Sequence, residues 1–335
     1  MCPALGLNPL PAAEEANDTI RVTVDNFARA ETDTYLAKFV KEGAFGKFQH
    51  SRNLAPVDSQ SVVRMNRDTL YSMAVFDLEA SPVTVTLPDA GKRFRAVQVI
   101  NEDHYTPTVI YDAGSHTLTS SEIGTRYVML LVRTFVNPAD PDDLSAVHAL
   151  QDAMQVEQKA VGKFDVPKWD QASLTAIRDA LKALGTANGG LDSARMFGPK
   201  DKVDRVQHLI GTAAGWGGNP KDDAYYFGTS PKSNDGKTPY QLTVKDVPVD
   251  GFWSISVYNK DGFFVKNARN AYTLNNVTAQ PNADGSVTIN FGNCETGAVN
   301  CLPIMPGWNY LVRMYRPHKE ILDGTWKFPE AKVVK

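Results

Sequence analysis

The sequence predicts a mainly β protein, α+β overall, in which two β-sandwich or jelly-roll-like domains related by duplication flank a helical insert. Three observations predict it. Phe94-Arg95-Ala96-Val97-Gln98-Val99-Ile100-Asn101-Glu102-Asp103 lies without a gap on Phe252-Trp253-Ser254-Ile255-Ser256-Val257-Tyr258-Asn259-Lys260-Asp261, at a constant offset of 158. Gly114-Ser115-His116-Thr117-Leu118 then answers Gly285-Ser286-Val287-Thr288-Ile289, and Leu131-Val132-Arg133-Thr134-Phe135 answers Leu311-Val312-Arg313-Met314-Tyr315. The order is kept while the offset grows from 158 to 171 to 180, as for two copies of a β-unit that differ in loop length. Secondly, short β-type runs recur roughly every ten residues on both sides of the insert, the spacing of a sandwich or barrel. Thirdly, the texture between Leu144 and Leu184 turns helical.

Residues 1–19 are set apart as a mobile arm, rich in Pro, Ala and acidic residues. The N-terminal β-rich domain, 20–137, opens with a helix in which Phe27, Ala30, Tyr35 and Phe39 share one side. A loop carrying His50 and Arg52 follows, and Pro56 breaks it. β-type runs then come at Ser61–Met65, Leu70–Phe76, Val83–Leu87, Arg95–Ile100, Thr106–Tyr111 and Tyr127–Phe135, each bounded by Asp, Gly, Pro or Asn. Pro138 to Asp143 opens the helical insert, 138–222. Apolar residues recur at three and four from Leu144 to Ala160 and from Gln171 to Leu184, with Asp170 as N-cap of the second helix and Gly185 as its stop. A third helix is expected over Ser193–Thr212, broken at Gly198-Pro199, and Gly215 to Pro220 is a loop. The C-terminal domain, 223–335, supplies strands at Tyr240–Val244, Phe252–Tyr258, Ala271–Leu274, Ser286–Phe291 and Trp308–Tyr315, with a hairpin turn at Asn282–Ser286. A jelly roll is preferred to a long meander, whose open edges invite pairing with other chains.

Composition narrows the function classes. A chain of 335 residues exceeds one ordinary core, so two domains are expected. Net charge is −3 with Lys and Arg scattered, which argues against a nucleic-acid partner. No apolar run approaches the ~20 residues that cross a bilayer, so no membrane span is expected. Phosphate-binding, dinucleotide-binding and nucleophile-elbow fingerprints are missing, and no cofactor is assigned. No metal is assigned either, because His-Glu-x-x-His, Cys-x-x-Cys and cupin-type His-x-His spacings are missing. A metal held by His50, His104 and a carboxylate is the lesser alternative. Cys294 and Cys301 are close enough to bridge, and nearby aromatics can equally bury them as thiols. Cys2 is either the residue left by a removed export signal or a free surface thiol, since no signal peptide precedes it.

Two polar clusters interrupt the strands of the first domain. Asn66-Arg67-Asp68-Thr69-Leu70-Tyr71 is dense in polar groups, and an extended chain places Asn66 and Asp68 on one face and Tyr71 on the other. Asn101-Glu102-Asp103-His104-Tyr105 ends the first repeated strand, where Glu102 and His104 can share a face as a carboxylate and imidazole pair. The second copy has a plain turn, Asn259-Lys260-Asp261-Gly262, at that point. Catalytic candidates are therefore Asp68, Glu102 and His104: Glu102 or Asp68 as base and His104 as acid. Ligand-binding candidates are His50, Arg52, Asn66 and Tyr71, with Arg52 as an anion clamp. Asx-turns and hydrated loops account for the same letters without function.

The string Val62 to Ser72 resembles the signature of the bacterial domain of unknown function 1254. Gly251 to Tyr258, Asn282 to Gly285, Asn300 to Pro303 and Val312-Arg313-Met314-Tyr315-Arg316-Pro317 resemble its usual C-terminal companion, domain of unknown function 1214. The likeness covers about residues 20–333. Cys301 stands where that companion commonly has Trp, which leaves no role for an aromatic there. The resemblance implies two β-sandwich parts with helices between them, often in exported bacterial proteins, and brings no reaction with it.

The function expected from these readings is that of a periplasmic or secreted protein, hydrolase- or lyase-like, acting on a small polar or sugar-like ligand in a pocket of the N-terminal half. A non-catalytic glycan-binding or assembly module is the alternative. The partner is then a small molecule or carbohydrate, with homo-oligomer formation compatible with either reading.

Overall fold

The computed structural model describes residues 18–60 and 62–334, so most of the expected arm, and Cys2 with it, lies outside the described residues. The first half comprises α1 (Phe27–Lys41), β1 (Gln49–His50), β2 (Thr69–Asp77), β3 (Val83–Leu87), β4 (Arg95–Asn101), β5 (Thr108–Ile110), β6 (Gly114–Leu118), α2 (Ser120–Ile123), β7 (Tyr127–Phe135), α3 (Pro141–Asp152) and β8 (Gln155–Gln158). Its strands form two antiparallel sheets, in the orders β1-β2-β7-β4-β5 and β6-β3-β8. Because side chains alternate along a strand, Ala74, Phe76, Val97, Val99, Val128, Leu130 and Val132 all leave one face of the larger sheet. They pack on Val83, Val85, Leu87 and Leu118 of the smaller one. Met73, Val75, Met129 and Leu131 leave the opposite face and meet Leu36 and Phe39 of α1. Buried on both faces, β2 and β7 carry near-continuous apolar runs.

Three helices follow: α4 (Gln171–Ala187), α5 (Ser193–Met196) and α6 (Arg205–Gly215). Asp170 and Asp204 cap the two longer ones by accepting backbone N–H bonds from Ser173 and from Val206 and Gln207. Phe27, Ala30, Leu174, Leu181, Ile210 and Ala213 bind this group to α1. The second half comprises β9 (Ala224–Thr229), β10 (Tyr240–Val244), β11 (Trp253–Tyr258), β12 (Thr273–Asn275), β13 (Val287–Phe291), β14 (Cys301–Leu302), β15 (Asn309–Tyr315), α7 (Lys319–Leu322) and β16 (Lys332–Val333). Its sheets run β12-β11-β15-β9 and β14-β13-β10-β16. Trp253, Ile255, Val257, Tyr310, Val312 and Met314 of the first pack on Tyr240, Leu242, Val244, Val287, Ile289 and Phe291 of the second. The molecule is thus mainly β, with several antiparallel sheets and a helical block.

The pairing scheme recurs between the halves. β4 lies between β7 and β5, and β11 between β15 and β12; β2 flanks β7 as β9 flanks β15. Ala96 stands opposite Arg133, and Ser254 opposite Arg313. On the other edge of each central strand Tyr71 stands opposite Arg133, and Tyr226 opposite Arg313.

Four local expectations change. Helical periodicity extends in the sequence as far as Ala160, yet Gln155–Gln158 is a strand paired with β3, so the insert lends a strand to the first half. Gly185 does not stop α4, which runs to Ala187; a Cβ there would lie 2.9 Å from Ile210 Cγ2, and the glycine serves close packing on α6 instead. Val62 to Met65 is a turn rather than a strand, with Arg64 in the left-handed region at φ 54°. The turn at Asn282–Ser286 forms, its Gly285 at φ 82°, but β13 pairs with β10 and β14, so it joins two sheets and not a hairpin. Cys294 and Cys301 form a disulfide with their Cα atoms 5.6 Å apart.

Candidate functional site

The five-stranded sheet of the first half and the β12-β11-β15-β9 sheet of the second face each other, and the faces they turn inward are unlike their cores. From β15 and β11 come Arg313, Ser254 and Ser256, all buried; from β7 and β4 come Arg133 and Gln98. Aromatic rings close one stretch of this seam: Phe252 stacks on Tyr315 at 4.4 Å, and Phe94 and Phe135 meet Phe252 edge-on at 5.2 and 4.8 Å. Beside them lies a cavity of about 450 Å³ whose wall is shared by both halves and by the helical block. Tyr71, Arg133, Tyr226, Arg313 and Tyr315 reach it from the sheets, Asn66 from the turn before β2, and Trp216 from the end of α6.

Each arginine is held by a side chain of the neighbouring strand and by a backbone carbonyl, with different acceptors in the two halves. Arg133 donates from Nη1 to Gln98 Oε1 at 2.7 Å and from Nη2 to the Gly217 carbonyl at 2.8 Å. Arg313 donates from Nη1 to Ser256 Oγ at 2.9 Å, and from Nη2 to the Arg64 carbonyl and Tyr258 Oη, each at 2.7 Å. Gln98 and Ser256 occupy matching places 158 residues apart. A guanidinium has five N–H donors, so each retains some that these bonds do not use. Arg64 and Lys182 also line the cavity, while none of the residues that line it is Asp or Glu. Two carboxyl groups stand behind the wall. Asp68, near Arg313, and Asp223, near Arg133, both have pKa values raised chiefly by burial, which weakens them as counter-charges. Burial likewise keeps the Tyr315 phenol protonated, with Arg133, Arg313, Tyr71 and Tyr226 around it. Its oxygen accepts a bond from Asn66 Nδ2 at 3.1 Å, and Tyr226 Oη accepts one from Asn219 Nδ2 at 2.7 Å.

Two other clefts are larger. One of about 730 Å³ lies along the same seam, but its Arg93 is paired with Asp143 at 2.5 Å and its Arg316 with Asp250 at 3.6 Å. Its Arg95 donates to the Pro88 carbonyl. The other, about 530 Å³, contains Glu102 with Arg29 and Arg126. Of these three clefts, the seam cavity is the one in which several cations meet without an acidic side chain in the wall.

Two family models match separate parts of the chain. The model of the protein of unknown function DUF1254 matches residues 45–121, and that of the protein of unknown function DUF1214 matches residues 224–319. The chain belongs to the family that joins these two domains. Among curated proteins none matches. The crystal structure of the VPA0106 protein from Vibrio parahaemolyticus is similar over 93% of this chain and 98% of its own, at 19% identity and a TM-score of 0.70. An uncharacterized protein from Burkholderia cenocepacia is similar over 93% of this chain and 88% of its own, at 14% identity and a TM-score of 0.53. Both likenesses concern the fold.

Of the seven site residues expected from the sequence, Asn66 and Tyr71 line the seam cavity, so the DUF1254 signature string meets the DUF1214 strand β15 there. Asp68 is buried behind it, accepting bonds from Thr273 Oγ1 at 3.2 Å and Asn275 Nδ2 at 3.1 Å across the seam. His104 is fully enclosed: Gly217 N–H donates to its Nε2 at 2.8 Å, which leaves Nδ1 to carry the proton toward Thr212 Oγ1, also at 2.8 Å. Burial pushes its pKa well down, so it is a neutral imidazole that fixes Gly217, the residue that anchors Arg133. Glu102 lies elsewhere, beside Asp33, its Oε2 accepting from the Tyr127 N–H at 3.0 Å. His50 bonds Ser72 Oγ at 2.7 Å, and Arg52 ties the loop to α3 through Asp152 and the His148 carbonyl. The seven are therefore not brought together. Arg133, Arg313 and Tyr315 escape the sequence reading as site residues, although Arg133 and Arg313 stand at matched points of the similar strings, whereas Trp216 and Tyr226 are among the aromatics whose flat rings suit a binding groove.

Proposed function

We propose that this protein binds a small organic anion with an apolar or flat body in the cavity between its two halves. The observation that carries the reading is a wall holding Arg64, Arg133, Lys182 and Arg313 among aromatic rings with no carboxylate in it. Arg suits this task because its planar fork matches a carboxylate and stacks on rings. About 450 Å³ is the scale of a small-molecule site, and the place is a domain interface, where such sites concentrate. The wall holds no histidine and no acidic residue as a ready acid–base pair, which favours recognition over a hydrolase- or lyase-like reaction and over neutral glycan binding.

The same reading includes the history of the halves. We take them as two copies of one β-sandwich unit that close on each other; the recurring strand order and the matched positions of Arg133 and Arg313 support it. An extracytoplasmic location is also part of the proposal, supported by the disulfide of Cys294 and Cys301, since such bonds persist in oxidising compartments.

Titration calorimetry of the full chain with benzoate and hexanoate against their neutral amides tests the binding claim. Carboxylates are expected to bind and to weaken as salt is raised, while the amides do not bind. Equal affinity for acid and amide, or binding of neither, overturns it.

A further inference from the structure

We infer that the preferred ligand is a dianion, specifically a short dicarboxylate that places one carboxylate on Arg133 and the other on Arg313. This rests on the anion-binding reading above and narrows it to a substrate class. Four observations lead there.

Both guanidiniums line one cavity, and they come from opposite halves. They occupy equivalent register points: each faces a tyrosine across one strand edge, Tyr71 for Arg133 and Tyr226 for Arg313. All four of these side chains border the cavity. Each arginine is also fixed by a bond to the residue two positions into the repeated string from its cross-strand partner, Gln98 or Ser256. The two supports differ in chemistry while both arginines are present, so what recurs is the guanidinium and not the manner of holding it. Finally, Tyr315 borders the same cavity as both arginines, its oxygen held by Asn66 Nδ2 at 3.1 Å.

Two buried guanidiniums face one small space whose wall holds no carboxylate. A monocarboxylate neutralises one of them. A ligand with two carboxylates neutralises both, and the paired arrangement of the wall then meets two like groups on one molecule. The tyrosine beside each arginine offers a phenolic O–H to the second oxygen of each carboxylate. The recognition needs a short linker, because both cations lie in a cavity of about 450 Å³.

Calorimetry on the full chain with succinate, glutarate and adipate, each against its own monomethyl ester, is the test. The half-ester keeps length and one charge and removes the second, so the comparison on the unaltered protein is informative without any variant. At least one diacid is expected to bind about tenfold or more tightly than its half-ester, the scale of a charge-assisted hydrogen-bonded contact. Arg133→Met and Arg313→Met, checked for folding by thermal melts, are each expected to abolish that preference. Half-esters that bind as well as every diacid overturn this inference and leave the anion-binding reading standing. A preference that survives in either variant also overturns it. Failure of all diacids and half-esters to bind overturns both readings.

Discussion

His104 stands at φ 63°, in the left-handed region, where the equivalent turn of the second half has Gly262 at φ 85°. A side chain there costs on the order of 1 kcal/mol in backbone strain, which its two ring hydrogen bonds offset. His104→Ala would leave the buried Gly217 N–H without its partner and take from the Thr212 hydroxyl one of its two, the bond to the His208 carbonyl remaining. The expected loss is about 2–4 kcal/mol of stability, read as a lowered denaturant midpoint. Asp33 offers a pH test at the same scale. It is 1% exposed and bonded by Trp169 Nε1 at 2.8 Å, with its other oxygen buried without a hydrogen-bond partner. Burial is the first cause of its pKa being pushed up to about 7 from 3.8. Its folded form therefore holds a proton more tightly than the unfolded chain does. The associated stability is fully present below about pH 4 and is lost as pH rises through 7. Asp33→Asn mimics the protonated carboxyl, so its melting temperature relative to the parent should rise between pH 4 and pH 8; a constant or falling difference would count against a buried, protonated Asp33.

At the scale of elements, strands were the legible part. β7 was read at its observed limits, Tyr127–Phe135, because a strand buried on both faces is a continuous apolar run ended by polar residues. β8 was not legible: Gln155-Val156-Glu157-Gln158 has letters that suit a helix, and only its pairing with β3 makes it a strand. Gly211 in α6 tests how tightly the helical block is packed. Alanine is the better helix former by about 1 kcal/mol, yet its Cβ would lie 2.7 Å from Met196 Cβ and 3.0 Å from Phe197. Gly211→Ala is therefore expected to lower the melting temperature, and a rise would show that α5 yields easily. The Cys294–Cys301 bridge closes a loop of sequence separation 7, which in a chain-entropy account is worth about 2–3 kcal/mol. Cys294→Ser with Cys301→Ser should lose that much in urea, without change in the far-ultraviolet dichroism of the native state.

For the whole molecule, the candidate site lies where local pattern carries least information. Asn66 and Tyr315, bonded across the seam, are 249 residues apart, and Arg313 holds the Arg64 carbonyl over the same separation. Nothing in the periodicity of either strand announces such a meeting. What the sequence did show was the polar string at Asn66 to Tyr71, of which two residues line the cavity, and the repeat that aligned Arg133 with Arg313. The aligned arginines read as ordinary strand letters because the face they occupy becomes special only when a second sheet is laid over it. His104 and Glu102 looked like a pair by spacing alone, whereas the turn sends His104 toward α6 and Glu102 toward α1. On the proposed reading the two halves together make one anion site. A crystal structure of the protein saturated with its tightest carboxylate measures this most directly. Ligand oxygens within hydrogen-bond reach of both Arg133 and Arg313 are the predicted result; a carboxylate seated beside Arg95 in the larger cleft, or touching one half only, would contradict it.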